Sequence, residues 1–285
     1  MVLKAFSILN ATLCSTALAG VLNAIAAGVG TMHWTHIFAV IGICFPTKAL
    51  AIVGNASPAS SEISRHIVLI TSSRGGFCTG ALIAPQIVLT AGHCIHAGDI
   101  YKLIKFGPGG VPIFFDVSST VRHPQFDMNA YLNHRATADV AILTLTKPLG
   151  SEFAPARLAS EAKRASAGDR ILIAGFGASV RGDGSTGGKL RAANLIVTGQ
   201  PGTLQIRLMD PVTRNQRGGL GACTGDSGAP AFDENNALVG LVSWTTAPGN
   251  EDGCGGLSGV TPLARYLSWI KEMANKTGTP LHLSR

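Results

Sequence analysis

The chain has 285 residues, of which 46% are apolar and 14% are charged, and its formal net charge is +7. This composition excludes a disordered chain, because it holds enough apolar side chains to bury a sizeable core. The Lys and Arg residues are scattered and are not interleaved with aromatic residues, so we expect no nucleic-acid-binding surface.

An export segment is the first element in chain order, and we predict it over residues 1–51. It holds two apolar stretches and ends on Ala49-Leu50-Ala51, a small-x-small cleavage sequence. Because 51 residues is long for a signal, one alternative is translation from Met32, and the other is a long signal or a membrane anchor. We expect removal of the segment, which leaves a secreted or periplasmic chain that begins at Ile52 and is not embedded in a membrane.

Cysteine usage agrees with export, because two of the six cysteines lie in the export segment and an even number remains after it. The remaining four allow three pairings, one of which joins each cysteine to its neighbour in sequence. No Cys-x-x-Cys pair occurs, so we expect no metal site. The four cysteines and their local pairing are Cys78 with Cys94 and Cys223 with Cys254.

Short apolar runs separated by Gly, Pro, Ser and Asp follow the export segment, and they predict strands. Six runs precede a loop-rich break at Lys147–Arg157, and six follow it, which predicts two similar β-barrels or sandwiches. The one helix with a clear apolar period is Pro262–Asn275. The predicted strands are His66–Ile70, Phe77–Ile83, Gln86–Thr90, Tyr101–Phe106, Pro112–Val117, Val140–Thr146, Arg170–Gly175, Ala193–Val197, Leu204–Leu208, Gly228–Phe232, Leu238–Trp244 and Ser258–Thr261.

Three short motifs carry side chains suited to nucleophilic catalysis. Ser227 lies in the sequence CTGDSGAP, His93 in LTAGHC, and Asp139 at the start of ADVAILTL. A serine hydroxyl attacks well only when a base removes its proton and N–H donors stabilise the oxyanion. Taken singly, each motif also fits a plain structural role: a glycine turn, a core histidine, or a solvent-exposed aspartate.

Taken together, the motifs resemble the trypsin/chymotrypsin family of serine peptidases, over nearly the whole of Ile52–Lys271. Further similar stretches are GALI before the histidine, VSW near the end of the chain, and YLSWI in the terminal helix. The order His, Asp, Ser is also that of the family. The chain departs from the family pattern at Ala229, which replaces the second glycine of Gly-Gly-Pro.

The resemblance implies an all-β fold of two six-stranded antiparallel β-barrels with a C-terminal helix. On this basis residues 52–285 form the peptidase domain. The first barrel is expected over about 52–150, the second over about 151–261, and the helix over about 262–275.

The resemblance also implies a serine endopeptidase that acts on proteins or peptides, needs no cofactor and can meet a protein inhibitor. Ser227 is then the nucleophile, His93 the general base and Asp139 the residue that orients the histidine. The backbone N–H groups of Gly225 and Ser227 form the oxyanion hole.

Activation in the family uses a salt bridge between a new N-terminal ammonium and the aspartate before the serine. The matching residues here are Ile52 and Asp226. Family zymogens are usually cut after Arg or Lys, whereas Ile52 follows Ala51. We therefore hypothesise that removal of the signal itself frees the activating terminus.

The substrate pocket is expected to accept an uncharged side chain of small to medium size. The alternative is a basic side chain that Glu251 or Asp252, in the long stretch Thr246–Gly253, meets from the rim. Gly221 stands where family members that prefer Arg or Lys have an aspartate, Gly259 matches a glycine of the pocket wall, and Thr245 replaces a glycine at the entrance. Ser243 and Trp244 belong to the substrate-binding strand.

Two alternatives to an endopeptidase remain on the same scaffold. One is a catalytically silent binding protein, because fold alone does not guarantee activity. The other is an esterase or a processing enzyme with a single target that uses the same three residues.

Overall fold

The computed structural model describes residues 52–160, 165–199, 203–278, 281 and 283. The predicted export segment and its cleavage site after Ala51 lie outside the described residues. None of the helices in the described part of the chain is long and apolar enough to cross a membrane.

A closed six-stranded barrel forms the first half of the fold. Its strands follow one another in the order β2-β3-β4-β7-β6-β5, and every pair is antiparallel. The shortest of them, β4, is buried along its whole length, as its unbroken apolar run predicts. The elements up to this point are β1 (Ser57–Pro58), α1 (Ser61–Ser64), β2 (Ile67–Ser72), β3 (Phe77–Ala84), β4 (Ile87–Thr90), β5 (Tyr101–Phe106), β6 (Pro112–Arg122), α2 (Met128–Leu132) and β7 (Ala141–Leu145).

A second closed barrel follows, with six antiparallel strands in the ring β9-β10-β11-β14-β13-β12. The short strand β1 extends this ring beside β10, and β8 lies parallel to β13 outside it. Two six-stranded antiparallel barrels are therefore confirmed. The elements of this half are β8 (Arg157–Leu158), β9 (Arg170–Gly175), β10 (Arg191–Val197), β11 (Ile206–Met209), β12 (Pro230–Phe232), β13 (Ala237–Thr245), β14 (Ser258–Pro262) and α3 (Leu267–Lys276).

The helices differ in part from the sequence prediction. The terminal helix is confirmed, but it starts with a 3₁₀ turn at Leu263–Tyr266, and Pro262 ends β14 instead of opening the helix. Sequence periodicity missed α1 and α2, since helices of one turn are too short to show a period. Asp127 caps α2 by accepting hydrogen bonds from the N–H groups of Asn129 and Ala130.

Direct hydrogen bonds join the two barrels beside Ser227. Thr79 of β3 donates its N–H to the Ser227 carbonyl oxygen at 2.9 Å. The Thr79 hydroxyl donates to the Gly225 carbonyl oxygen, also at 2.9 Å, and is fully buried. The first barrel thus fixes the backbone of the serine loop that belongs to the second barrel.

Candidate active site

His93 lies in a tight 3₁₀ turn, Gly92–Cys94, directly after β4. A disulfide between Cys78 and Cys94 ties this turn to β3, with an S–S distance of 2.01 Å. Gly92 leaves room for its neighbours, because a Cβ there would lie 3.3 Å from Asp139 Oδ1. The His93 N–H donates to that same oxygen at 2.9 Å, so backbone and side chain both hold the imidazole beside the carboxylate.

A chain of hydrogen bonds connects the three residues of the sequence motifs. The His93 Nδ1–H donates to Asp139 Oδ2 at 2.9 Å, and the Ser227 hydroxyl donates to His93 Nε2 at 2.8 Å. We assign the proton to Nδ1 because the carboxylate can only accept. Asp139 is 1% exposed and also accepts a hydrogen bond of 2.5 Å from the Ser243 hydroxyl. Its buried charge is thereby compensated by three donors.

Glycine shapes the loop that presents Ser227. Gly225 has φ +95°, and a Cβ there would lie 2.1 Å from the Phe77 ring. Gly228 has φ +78°, and a Cβ there would lie 2.1 Å from the Thr90 hydroxyl oxygen. Both positions therefore need glycine for backbone conformation and for space. The resulting turn leaves Ser227 half-buried, with its hydroxyl directed at the histidine.

Asp226 is fully buried beneath this loop. Its two carboxylate oxygens accept the N–H groups of Gly177 and Cys223, both at 2.8 Å. Burial raises the pKa of Asp226 to about 7, although both hydrogen bonds act to lower it. The Ile52 side chain is also fully buried, and Val53 pairs with Gly221, five residues before Asp226. The start of the described chain therefore already lies in the second barrel.

A cleft of about 980 Å³ lies beside the serine and the histidine, and Ser243, Trp244 and Thr245 line it. Gly259 lies under Trp244, since a Cβ there would meet the indole at 2.0 Å. The indole thus occupies the space beside this glycine. The Thr245 hydroxyl lies between two carbonyl oxygens, those of Ala222 at 2.8 Å and Leu257 at 3.2 Å.

A second disulfide, Cys223–Cys254, has an S–S distance of 2.04 Å and fastens the serine loop to the segment before β14. Both disulfides follow the local pairing. Among the described residues, no group of His, Cys, Asp and Glu side chains is arranged to hold a metal ion.

Tyr131 of α2 is a site residue that the sequence reasoning missed. Its ring stacks on the His93 imidazole, with centroids 4.2 Å apart and planes 12° apart. Its hydroxyl donates to the Ser243 carbonyl oxygen at 3.4 Å. Burial, together with the nearby charge of Asp139, raises the pKa of Tyr131 to about 12. The Asp127 cap signals a helix start in the sequence, but nothing in the sequence indicates that this ring reaches the histidine.

Two barrels with a Ser-His-Asp hydrogen-bond chain between them define the scaffold of a serine protease. The family model described as Trypsin matches residues 52–270. The chain therefore belongs to the trypsin family.

Curated relatives are similar over most of their length. The trypsin of Squalus acanthias is 29% identical over 206 residues, which cover 69% of this chain and 85% of the relative. Serine protease 1 of Canis lupus familiaris is 28% identical over 249 residues, which cover 78% and 89%. Among solved structures, human heparin binding protein has a TM-score of 0.63 at 23% identity and covers 82% of this chain and 100% of its own. The likeness to that structure concerns the fold alone.

Proposed function

We propose that the chain is a secreted serine endopeptidase that cleaves proteins through an acyl-enzyme on Ser227. The observation that carries this proposal is the pair of hydrogen bonds that link Ser227 to His93 and His93 to Asp139, at 2.8 and 2.9 Å. Such a pair supplies the base that a serine hydroxyl needs. Membership in the trypsin family supports the same reaction.

The proposed reaction has two symmetrical halves. Ser227 Oγ attacks the substrate carbonyl carbon while its proton passes to His93 Nε2, and the carbonyl oxygen becomes negative. The C–N bond then breaks, His93 gives its proton to the leaving amine, and an acyl-Ser227 ester remains. Water attacks this ester while its proton passes to His93, the ester C–O bond breaks, His93 returns the proton to Ser227 Oγ, and the free acid leaves. Asp139 holds the Nδ1–H and stabilises the imidazolium in both halves.

The oxyanion is assigned to the N–H groups of Gly225 and Ser227. Within the described part of the chain, neither N–H group donates a hydrogen bond to another residue. Both are therefore available to the oxygen that becomes charged in the transition state. Removal of one such donor costs about 3 kcal/mol of barrier in comparable sites.

Activation is proposed to follow from cleavage between Ala51 and Ile52. The new ammonium of Ile52 would pair with Asp226. Among the described residues, only two N–H groups donate hydrogen bonds to this buried carboxyl. An adjacent positive charge favours the ionised carboxylate and lowers its pKa. Sequencing of the exported protein tests this step, because a mature chain with any other first residue is incompatible with it.

The pocket is proposed to select an uncharged side chain of small to medium size on the acyl side of the scissile bond. No carboxylate stands at Gly221 to attract Arg or Lys. The Thr245 hydroxyl lies between the carbonyl oxygens of Ala222 and Leu257, and we propose that this side chain, where the family usually has glycine, limits the size of the pocket. Peptides that differ only at this residue test the preference, and a strong preference for Arg would refute it.

Hydrolysis of peptides by the chain that begins at Ile52, with Ser227→Ala as control, tests the proposed function. We expect turnover by the native chain and loss of turnover in the variant. A folded, correctly processed chain that turns over no peptide or ester would instead support a binding protein on the protease scaffold.

A further inference from the structure

Two arginines line the cleft without an ion-pair partner in the described part of the chain. Arg207 lies on β11 and Arg135 in the segment after α2, and both side chains are exposed. The third arginine of the cleft, Arg74, is compensated, because it pairs with Asp99 at 2.7 Å. The cleft therefore carries two exposed positive charges that no carboxylate of the described residues pairs with.

Strand register places Arg207 on the same face of the sheet as Trp244, with Gly259 between them. Gly259 of β14 pairs with Trp244 of β13 on one side and with Arg207 of β11 on the other. Residues opposite each other in an antiparallel sheet project from the same face. The indole lies over Gly259, so it fills the space between the two side chains. The apolar indole thus lies on the face from which the Arg207 side chain also projects.

Under the proposed function, the substrate residues before the scissile bond lie along this face, because Trp244 belongs to the strand that resembles the substrate-binding strand of the family. Trp244 lies between Ser243, which hydrogen-bonds Asp139, and Thr245, which hydrogen-bonds the carbonyl oxygen of Ala222. Arg135 lines the same cleft from the first barrel, in the segment that follows the helix of Tyr131, whose ring stacks on the histidine. Both barrels thus contribute an arginine to the cleft.

We infer that this end of the cleft, formed by Trp244, Arg207 and Arg135, is a subsite for an acidic side chain of the substrate. The inference rests on the proposed function and adds a substrate class to it. A guanidinium presents several N–H donors in a planar fork that matches a carboxylate, and it keeps its charge at every assay pH. An Asp or Glu two to four residues before the scissile bond would lie on the indole and meet this fork.

One acidic residue on the rim opposes the preference. Asp252 lines the cleft on the loop after β13, where it is exposed and its backbone pairs with Thr246. One carboxylate against two guanidinium groups leaves the cleft positive. Asp252 also supplies a second test, because removal of its charge must increase the affinity of the cleft for an acidic side chain.

The test uses peptides with Ala at the pocket residue and Asp, Asn or Lys at one of the three preceding positions. Binding to the Ser227→Ala chain is measured by calorimetry, and kcat/KM is measured separately on the native chain. We expect the affinity for Asp to exceed that for Asn at one of these three positions, or at two positions separated by one residue, since alternate residues of an extended peptide face the same side. The expected ratio is up to about fivefold for each exposed ion pair. The ratio should fall towards one in 1 M salt, where the screening length is about 3 Å.

Variants assign the preference to the named residues. Arg207→Gln and Arg135→Gln should each lower the ratio of Asp to Asn, and Asp252→Asn should raise it. Arg170→Gln is the matched control, because Arg170 is exposed at the start of β9 and does not line the cleft. The same affinity for the Asp and Asn peptides at all three positions would overturn the inference, even if the native chain hydrolyses both. Failure of the native chain to hydrolyse any peptide bears on the proposed function instead, since the binding measurement does not need catalysis.

Discussion

The buried carboxyl of Asp226 makes the free energy of unfolding of the uncut chain depend on pH. Its pKa is about 7 in the folded chain and 3.8 in a solvent-exposed reference. The folded chain therefore binds this proton more tightly than the unfolded chain does. The resulting stabilisation is complete below pH 3.8 and is lost as the pH rises through 7. The difference between the two pKa values, 7 minus 3.8, corresponds to a loss of about 4 kcal/mol.

The measurement compares two chains that begin at Leu50, so that Ile52 carries no ammonium. Both hold Ser227→Ala to prevent self-cleavage, and one also holds Asp226→Asn. Urea unfolding at pH 4 to 8 gives the difference in free energy of unfolding between them, in which all other titrating groups cancel. We expect the Asp226 chain to lose about 4 kcal/mol relative to the Asn variant over this range.

A chain that begins at Ile52 is the control for this experiment. Its ammonium should lower the pKa of Asp226, so the loss between pH 4 and 8 should be much smaller. A difference that does not change with pH in the chain from Leu50 would refute the claim that Asp226 is buried without a cation. The same pH dependence in both chains would refute the Ile52–Asp226 pair.

Substitutions at Tyr131, Gly228 and Thr245 test separate parts of the site. Tyr131→Phe removes only a hydrogen bond of 3.4 Å and should change kcat/KM by about twofold or less, whereas Tyr131→Ala removes the stacked ring and should lower it about 3- to 10-fold. Gly228→Ala should lower the free energy of unfolding in urea by about 2–5 kcal/mol, because its Cβ would lie 2.1 Å from the Thr90 hydroxyl oxygen. Gly249→Ala is its control, with φ +75° and no atom within 4 Å, and an equal loss there would show that strain alone is responsible. Thr245→Gly should raise the ratio of kcat/KM for a substrate with Phe in the pocket to kcat/KM for one with Ala by at least about tenfold. An unchanged ratio would show that this threonine does not limit the size of the pocket.

The barrels could be predicted from the sequence because their strands are short, apolar and bounded by turn residues. Ile87–Thr90 is buried throughout, and Arg170–Gly175 has the predicted bounds. The prediction for β6 stopped at Val117, five residues early, because the polar stretch that follows pairs with β7 while facing solvent. Apolar patterning cannot reveal a strand segment that buries few side chains.

Residues that reach the site only through tertiary contacts could not be predicted from the sequence. His93, Asp139 and Ser227 could be predicted as site residues because each lies in a short, distinctive sequence motif. Tyr131 and Arg207 lie in stretches with no such signal, and their positions in the cleft follow from a one-turn helix and from strand register. Long-range pairing of this kind is not encoded in any local sequence window.

Reaction of the exported protein with a fluorophosphonate, followed by mass spectrometry of the N-terminus and of the modified residue, tests the central claim most directly. The proposed mechanism predicts a chain that begins at Ile52 and carries the label on Ser227, with no label after Ser227→Ala or His93→Ala. A folded chain that begins at Ile52 and remains unlabelled would contradict the claim that Ser227 is an activated nucleophile.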